Sequence, residues 1–260
     1  NDILKLTKNP NISIEEMRPV RRIHLNPFLI SATPILNTHI VKYNVIFNKN
    51  IEVEETDHSP FFCDYLQAES IANDLLSEIP NEKEWEYFCR GGNQSVFCFG
   101  KTLPNEIELE KWLCWDLSSL DKLNCNDFNL YGLFFGEWCS NDFTFSLEDN
   151  SNAVSGSKTI KGGGAYFWPW QDEEWVYCIS AFRMPSKDLI ENKAAFRLNM
   201  RYISCYGENG DLIRVTGYLV KKSDMQKFID GESISYDTVQ YAREAFEKYH
   251  LLERKVRDVK

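Results

Sequence analysis

The sequence lacks the features of several common protein classes. It has no apolar run near the roughly 18 residues that a membrane-spanning helix needs. Its start has no positively charged segment followed by an apolar one, as a signal peptide would. It carries 29 Lys and Arg against 39 Asp and Glu, a net charge of -10. This balance argues against an electrostatic attraction to nucleic acid or to an anionic membrane.

Local metal-binding and catalytic motifs are also missing. None of the eight cysteines forms a CxxC pair, and the four histidines are scattered, so spacing supports no zinc site. No G-x-S-x-G motif occurs, and no Gly-Lys-Ser/Thr follows the glycines of "KGGGAY". Most cysteines stand beside aromatics, as in "FFC" and "WLCW", which predicts buried reduced thiols and a cytoplasmic protein.

Periodicity and turn residues predict several elements. We expect helices in "NTHIVKYNVIF", capped by Asn37 or Thr38, in "PFFCDYLQAESIANDLLSEI", and over about 24 residues at the end of the chain. "PNEKEWEYFCRGG" predicts a short helix with Asn81 as its N-cap and Glu84 completing a capping box. The Asn-Gly dipeptide of "SCYGENGDLIRVTGYLV" predicts a β-hairpin, and "DNSNAVSGSK" a polar loop.

Five short stretches, in order, resemble motifs of the formylglycine-generating enzyme family, also called the sulfatase-modifying-factor domain. They are "IPNEKEWEYFCRGG", "NLYGLFFGEWCSND", "KGGGAY" followed by "ISAFR", and "AFRL". The resemblance covers about residues 23–202 and implies an α+β fold related to C-type lectins, loop-rich, with a small twisted antiparallel sheet. It predicts three parts: an N-terminal arm (1–22), the family-like domain (23–202), and an added hairpin with a long helix (203–260).

Departures from the family concern its metal sites. In the enzymes two cysteines five residues apart bind copper(I), a metal that thiolates suit. Here Cys178 stands one residue further from the motif arginine, Arg183, and Glu173 occupies the place of its partner. We therefore expect no copper site, with Cys178 as the one residual catalytic candidate.

Two further cofactors of the family are not expected. The calcium-binding loop is shortened to Phe135 and Gly136, and calcium needs about six to eight oxygen ligands. No HxxxH spacing supports the iron-dependent members. The prediction is a domain without cofactor or metal, which favours a pseudoenzyme while leaving the enzyme class open.

Charged and aromatic residues of the matched motifs are interpreted as structural. Arginines and glutamates set among aromatics are usually paired in the interior, where they would brace loops. The residues in question are Trp85, Glu86, Arg90, Gly91, Gly92, Glu137, Trp138, Arg183 and Arg197.

One loop is the predicted ligand-binding surface. Trp and Tyr are frequent at binding hot spots, and neighbouring acids would suit a basic peptide or an ammonium group. Core packing is the alternative for its tryptophans. The loop residues are Tyr166, Phe167, Trp168, Trp170, Asp172, Glu173, Glu174 and Trp175.

The sequence therefore predicts a non-catalytic binding or sensor domain that recognises a protein or peptide partner, within a larger bacterial-type assembly. It predicts no membrane and no direct nucleic-acid partner. The first alternative is a metal-dependent oxidoreductase with a site rebuilt around Cys178. The second is a structural subunit that docks through the C-terminal helix. Because the chain does not begin with methionine, we also expect it to be part of a longer protein.

Overall fold

A computed structural model gives the fold. It describes residues 3–9, 12, 17, 20, 22–25, 28–53, 57–75, 77–112, 117, 125–147, 153–163, 173–186, 188–206 and 212–216. The helices are α1 (Asn37–Phe47), α2 (Tyr65–Asp74), α3 (Glu82–Cys89) and α4 (Glu106–Trp112), with 3-10 helices at Ile3–Leu6 and Trp175–Cys178. The strands are β1 (Phe28–Ile30), β2 (Glu137–Thr144), β3 (Ala153–Lys161), β4 (Met184–Pro185), β5 (Asn199–Tyr206) and β6 (Leu212–Thr216). Among the described residues, no helix combines the length and apolar character needed to cross a membrane.

The chain divides into two compact units. The first comprises Asn1–His24, Ser31–Glu69 and Ile79–Leu198, and the second Leu25–Ile30, Ser70–Glu78 and Asn199–Lys260. The predicted boundary at residue 203 stays a prediction.

The first unit contains an antiparallel sheet in the order β2-β3-β4. Trp138 of β2 is opposite Ile160 of β3, and Ile160 is opposite Met184 of β4. Trp138 is fully buried, donates its indole N–H to the Cys63 carbonyl oxygen at 2.9 Å, and meets the Tyr65 ring edge-on at 5.6 Å. The core of this unit is therefore built around aromatic side chains.

Strand β3 corrects the polar loop predicted at 149–158, because residues from Ala153 onward are paired with β2. Its outer half is largely exposed and carries no apolar alternation, whereas Thr159, Ile160 and Lys161 are buried. Composition missed the strand because only its inner end packs on the core.

Helix α3 has the capping box predicted for it. The Asn81 side chain accepts hydrogen bonds from the backbone N–H groups of Lys83 and Glu84, and Glu84 accepts one from the Asn81 N–H. The helix presents Trp85, Phe88 and Cys89 to the core and ends at Arg90. Gly91 and Gly92 follow with positive φ angles of 62° and 77°, which glycine adopts without strain.

The other helix predictions needed correction. The N-cap of α1 is Leu36 rather than Asn37 or Thr38. The Asn37 side chain is engaged elsewhere, since it donates to Asp57 at 2.8 Å. Helix α2 is also shorter than predicted, ending at Asp74. The terminal helix predicted near residues 236–260 lies outside the described residues.

The second unit contains an antiparallel sheet in the order β1-β5-β6. Leu29 of β1 is opposite Met200, and the β5–β6 register joins Ile203 to Val215 and Cys205 to Ile213. This pairing confirms the hairpin predicted from the Asn-Gly dipeptide.

Candidate functional site

Two acidic residues of the predicted binding loop hold the chain's own N-terminal segment. Lys8 Nζ lies 2.7 Å from a carboxylate oxygen of Glu173. The Lys8 backbone N–H donates to Glu174 at 2.8 Å, and the Thr7 hydroxyl donates to the second oxygen of the same carboxylate. Proximity to Lys8 holds the pKa of Glu173 below its ordinary value, since the lysine donates to the carboxylate and attracts its charge. The acids thus bind an ammonium group, and it belongs to this chain.

The backbone presents both carboxylates to this segment. Glu173 has a φ of 58°, a conformation uncommon outside glycine and enriched at constrained sites. Glu174 follows as the N-cap of the 3-10 helix Trp175–Cys178, and its carbonyl oxygen accepts from the Tyr177 N–H at 3.2 Å. The turn therefore fixes the direction of the two side chains.

The remaining predicted binding residues, Tyr166, Phe167, Trp168, Trp170 and Asp172, lie outside the described residues. Trp175 is half-buried at the start of the 3-10 helix. The binding surface as a whole stays a prediction.

Cys178 lies in a buried group of three thiols. Cys98 forms a side-chain hydrogen bond with Cys89 and lies near Cys178, and Cys89 donates to the Ser180 hydroxyl at 3.5 Å. Burial raises the pKa of the Cys178 thiol to about 12 and that of Cys98 well above its ordinary value. A thiol held protonated is a poor nucleophile and a poor metal ligand. Among the described residues, no group of three or more His, Cys, Asp or Glu has the arrangement to hold a metal ion.

The charged residues of the quoted motifs form ion pairs inside the first unit. Arg197 donates to both carboxylate oxygens of Glu137, at 2.9 and 3.0 Å, and both side chains are fully buried. Trp85 adds a third hydrogen bond to Glu137 at 3.0 Å. Burial raises the pKa of Glu137, while Arg197 and Trp85 oppose that shift.

A second buried pair joins Arg183 to Glu82 on the first turn of α3. Arg183 also donates to the Thr144 carbonyl oxygen at 2.7 Å, which ties the loop before β4 to the end of β2. These geometries position loops and contain no exposed reactive group.

A cleft of about 410 Å³ opens at the N-terminal end of α3, between this helix and β2. Its walls include the neutral Asn141 and charged residues of both signs, Glu82, Lys83 and Asp142. The Glu82 N–H already donates to Asn141 Oδ1 at 2.8 Å, and the Lys83 N–H to Asn81 at 3.0 Å. The helix end therefore offers no free donors in its first turn to an anion.

The sequence predicted Glu173 and Glu174 as binding residues but did not predict that Lys8 of the same chain binds them. Lys8 and Glu174 are separated by 166 positions, and no local pattern pairs them. The arm's one signal is "LTKNP", a hydroxyl residue beside a lysine in a polar stretch.

Comparison with known proteins shows that the C-terminal part of the chain is similar to a different family. Residues 185–257 match the family model of the YjjI-like glycyl radical enzymes. An uncharacterized protein of Haemophilus influenzae is 47% identical over 73 residues, 28% of this chain. The chain spans only 14% of the length of that relative.

This finding overturns the assignment to the formylglycine-generating enzyme family and the function inferred from it. The non-catalytic binding domain of that family, the oxidoreductase rebuilt at Cys178 and the docking subunit were wrong predictions, since the matching family model is that of glycyl radical enzymes. The physical reason lies in the quoted motifs. Their most distinctive residues, among them Trp85, Glu137 and Arg197, are buried packing and pairing residues, and such residues report on packing rather than on activity.

Proposed function

We propose that the C-terminal part of the chain has a function related to that of glycyl radical enzymes. The observation that carries the proposal is the family match over residues 185–257, supported by 47% identity to the Haemophilus influenzae protein over 73 residues. The β5–β6 hairpin lies inside this segment, so a paired element with a defined register supports it.

The segment contains four glycines that could carry a radical: Gly207, Gly210, Gly217 and Gly231. A glycine α-carbon has two hydrogens and no Cβ, so transfer of one hydrogen atom to an external radical, which is thereby quenched, would leave an unpaired electron beside two amide groups without steric obstruction. The protein's task in such chemistry is to hold and shield that carbon.

We assign this role to Gly217. Gly207 and Gly210 lie in the sequence between β5 and β6, where the Asn-Gly dipeptide is typical of a hairpin and predicts a turn role for glycine. Gly217 instead follows Thr216, the last residue of β6, which is opposite Tyr202 of β5. A position tied to a paired strand suits a reactive carbon better than a turn does.

The proposal includes a protein partner, or further sequence of the same polypeptide. Because the chain covers 14% of the relative, residues 185–257 would supply one segment of a larger catalytic centre. For residues 23–202 we propose a lectin-like α+β fold, supported by the small antiparallel sheet and the loop-rich core. A cytoplasmic location is supported by the six free thiols of the described residues, since reducing compartments keep cysteines unpaired.

The test is electron paramagnetic resonance of the protein purified without oxygen from its own source cells. We expect the signal of a carbon-centred radical in wild type and in Gly231→Ala, and its loss in Gly217→Ala. Loss in Gly231→Ala alone would move the role to that residue. A spectrum without any radical would contradict the proposed function.

A further inference from the structure

The N-terminal segment Ile3–Asn9, here called the strap, contacts the turn Glu173–Cys178 through polar groups. Three contacts reach the two carboxylates: the Lys8 ammonium to Glu173, and the Lys8 N–H and Thr7 hydroxyl to Glu174. A fourth joins the Asn9 and Tyr177 side chains. A hydrogen bond within the strap orients the Thr7 hydroxyl for its contact with Glu174, since the Asn9 N–H donates to the Thr7 hydroxyl oxygen at 3.0 Å.

These contacts make the strap easy to release. The side chains of Lys8 and Glu173 are 67% and 69% exposed, so their ion pair lies in water and is screened by salt. The contacts to Glu174 are charge-assisted and stronger, yet they depend on one carboxylate. Leu6, Thr7 and Glu174 are only half-buried, and a segment on the surface whose polar contacts converge on two carboxylates has a low free energy of local opening.

The turn, in contrast, is anchored in the core. Cys178 and Val176 of its 3-10 helix are buried, and the next residue, Ile179, pairs with Phe97. The Ser180 N–H donates to the Val96 carbonyl oxygen at 2.8 Å. Release of the strap would therefore leave the two acids in place.

We propose that the strap is a displaceable cover on the acidic turn, released when the charges of Glu173 and Glu174 are screened or neutralised. Release removes the hydrogen-bond and ion-pair partners of both carboxylates and the Asn9 contact of Tyr177. This inference does not depend on the radical function proposed for residues 185–257.

Limited trypsin cleavage tests the proposal. The bonds after Lys5 and Lys8 lie in the strap, and the bond after exposed Lys101 serves as the internal reference. When reclosing is faster than cleavage, the cleavage rate follows the open population. We expect the Lys5 rate, relative to Lys101, to rise about three- to tenfold between low and high salt in wild type.

Charge variants separate the strap contacts from general effects. Glu174→Gln and Glu173→Gln should raise strap cleavage at low salt and flatten its salt dependence. Glu110→Gln, which neutralises an exposed acid on α4, should change nothing. The exchanged pair Lys8→Glu with Glu173→Lys should restore slow cleavage after Lys5 that Lys8→Glu alone has lost.

Two results would overturn the proposal. In the first, cleavage after Lys5 is much slower than after Lys101 in wild type and equally slow in Glu174→Gln and Glu173→Gln, which would mean that other contacts hold the segment. In the second, cleavage after Lys5 at low salt is about as fast as after Lys101 in wild type and in both variants, which would mean that the acids do not hold the segment. Circular dichroism of each variant checks that the rest of the chain is folded.

Discussion

At the scale of single residues, the Arg197–Glu137 pair dominates the interior of the first unit. Besides the two bonds to Glu137, Arg197 donates to the carbonyl oxygens of Ser31 and Ala32, at 3.2 and 2.9 Å. It also donates to the Tyr131 carbonyl oxygen, so one guanidinium satisfies a buried carboxylate and three carbonyls. Such a residue stabilises the folded state mainly by giving the buried acceptors around it hydrogen-bond donors.

We therefore expect Arg197→Met to lower the free energy of unfolding by about 3–5 kcal/mol, because the buried carboxylate of Glu137 would lose the cation that neutralises its charge. Arg90→Met removes a half-exposed i,i+4 pair with Glu86 and should cost about 1 kcal/mol. Urea unfolding of the two variants measures the difference. Equal losses would contradict the role given to burial.

Glu86 gives the first unit a dependence on pH. Burial acts to raise its pKa, but Lys161 and Arg90 together outweigh burial, and the net shift is downward from 4.5. A carboxylate with a depressed folded-state pKa stabilises the fold above its unfolded pKa and loses that contribution as the pH falls through the folded one.

Thermal unfolding between about pH 7 and pH 3 should thus show a loss of stability that is smaller in Glu86→Gln than in wild type. The variant has no carboxylate to protonate at this position. Parallel pH profiles of the two proteins would show that Glu86 is not linked to folding.

At the scale of elements, α3 combines a strong cap with a buried face. Asn105 caps α4 in the same way, since its side chain accepts from the Glu108 N–H at 3.0 Å and the Glu108 side chain accepts from the Asn105 N–H at 3.1 Å. Helix α4, however, has no buried residue. The two helices therefore have the same cap chemistry, one with buried residues and one without.

Replacing each cap separates these effects. Asn81→Ala should lower the free energy of unfolding by about 1 kcal/mol, because the packed helix α3 unfolds with the core. Asn105→Ala should fray α4 locally and leave the global value almost unchanged. Chemical denaturation measures both, and a larger global loss from Asn105→Ala would contradict this comparison.

The same elements show how far sequence patterns reach. The cap of α3 and the β5–β6 hairpin were predictable because both depend on residues within a few positions of each other. Strand β3 was missed because its exposed half has no apolar alternation. The Lys8–Glu173 contact and the Cys89–Cys98–Cys178 group depend on packing between distant segments, which local periodicity does not encode.

At the scale of the whole molecule, the first unit and the C-terminal segment resemble different families for different reasons. Packing in the first unit accounts for the buried ion pairs and aromatics that resembled another family's motifs. The family match covers residues 185–257, and the motifs predict most of these residues to be an addition to the domain. Composition could not reveal this similarity, since a glycine proposed to carry a radical differs from other glycines only by its surroundings.

The decisive measurement is the electron paramagnetic resonance spectrum of anaerobically prepared protein labelled with carbon-13 at the glycine α-carbon. If the C-terminal segment carries a glycine radical, the label will split or broaden the signal, and Gly217→Ala will abolish it. A radical signal unchanged by the label, or no radical signal at all, would contradict a glycyl-radical function for this chain.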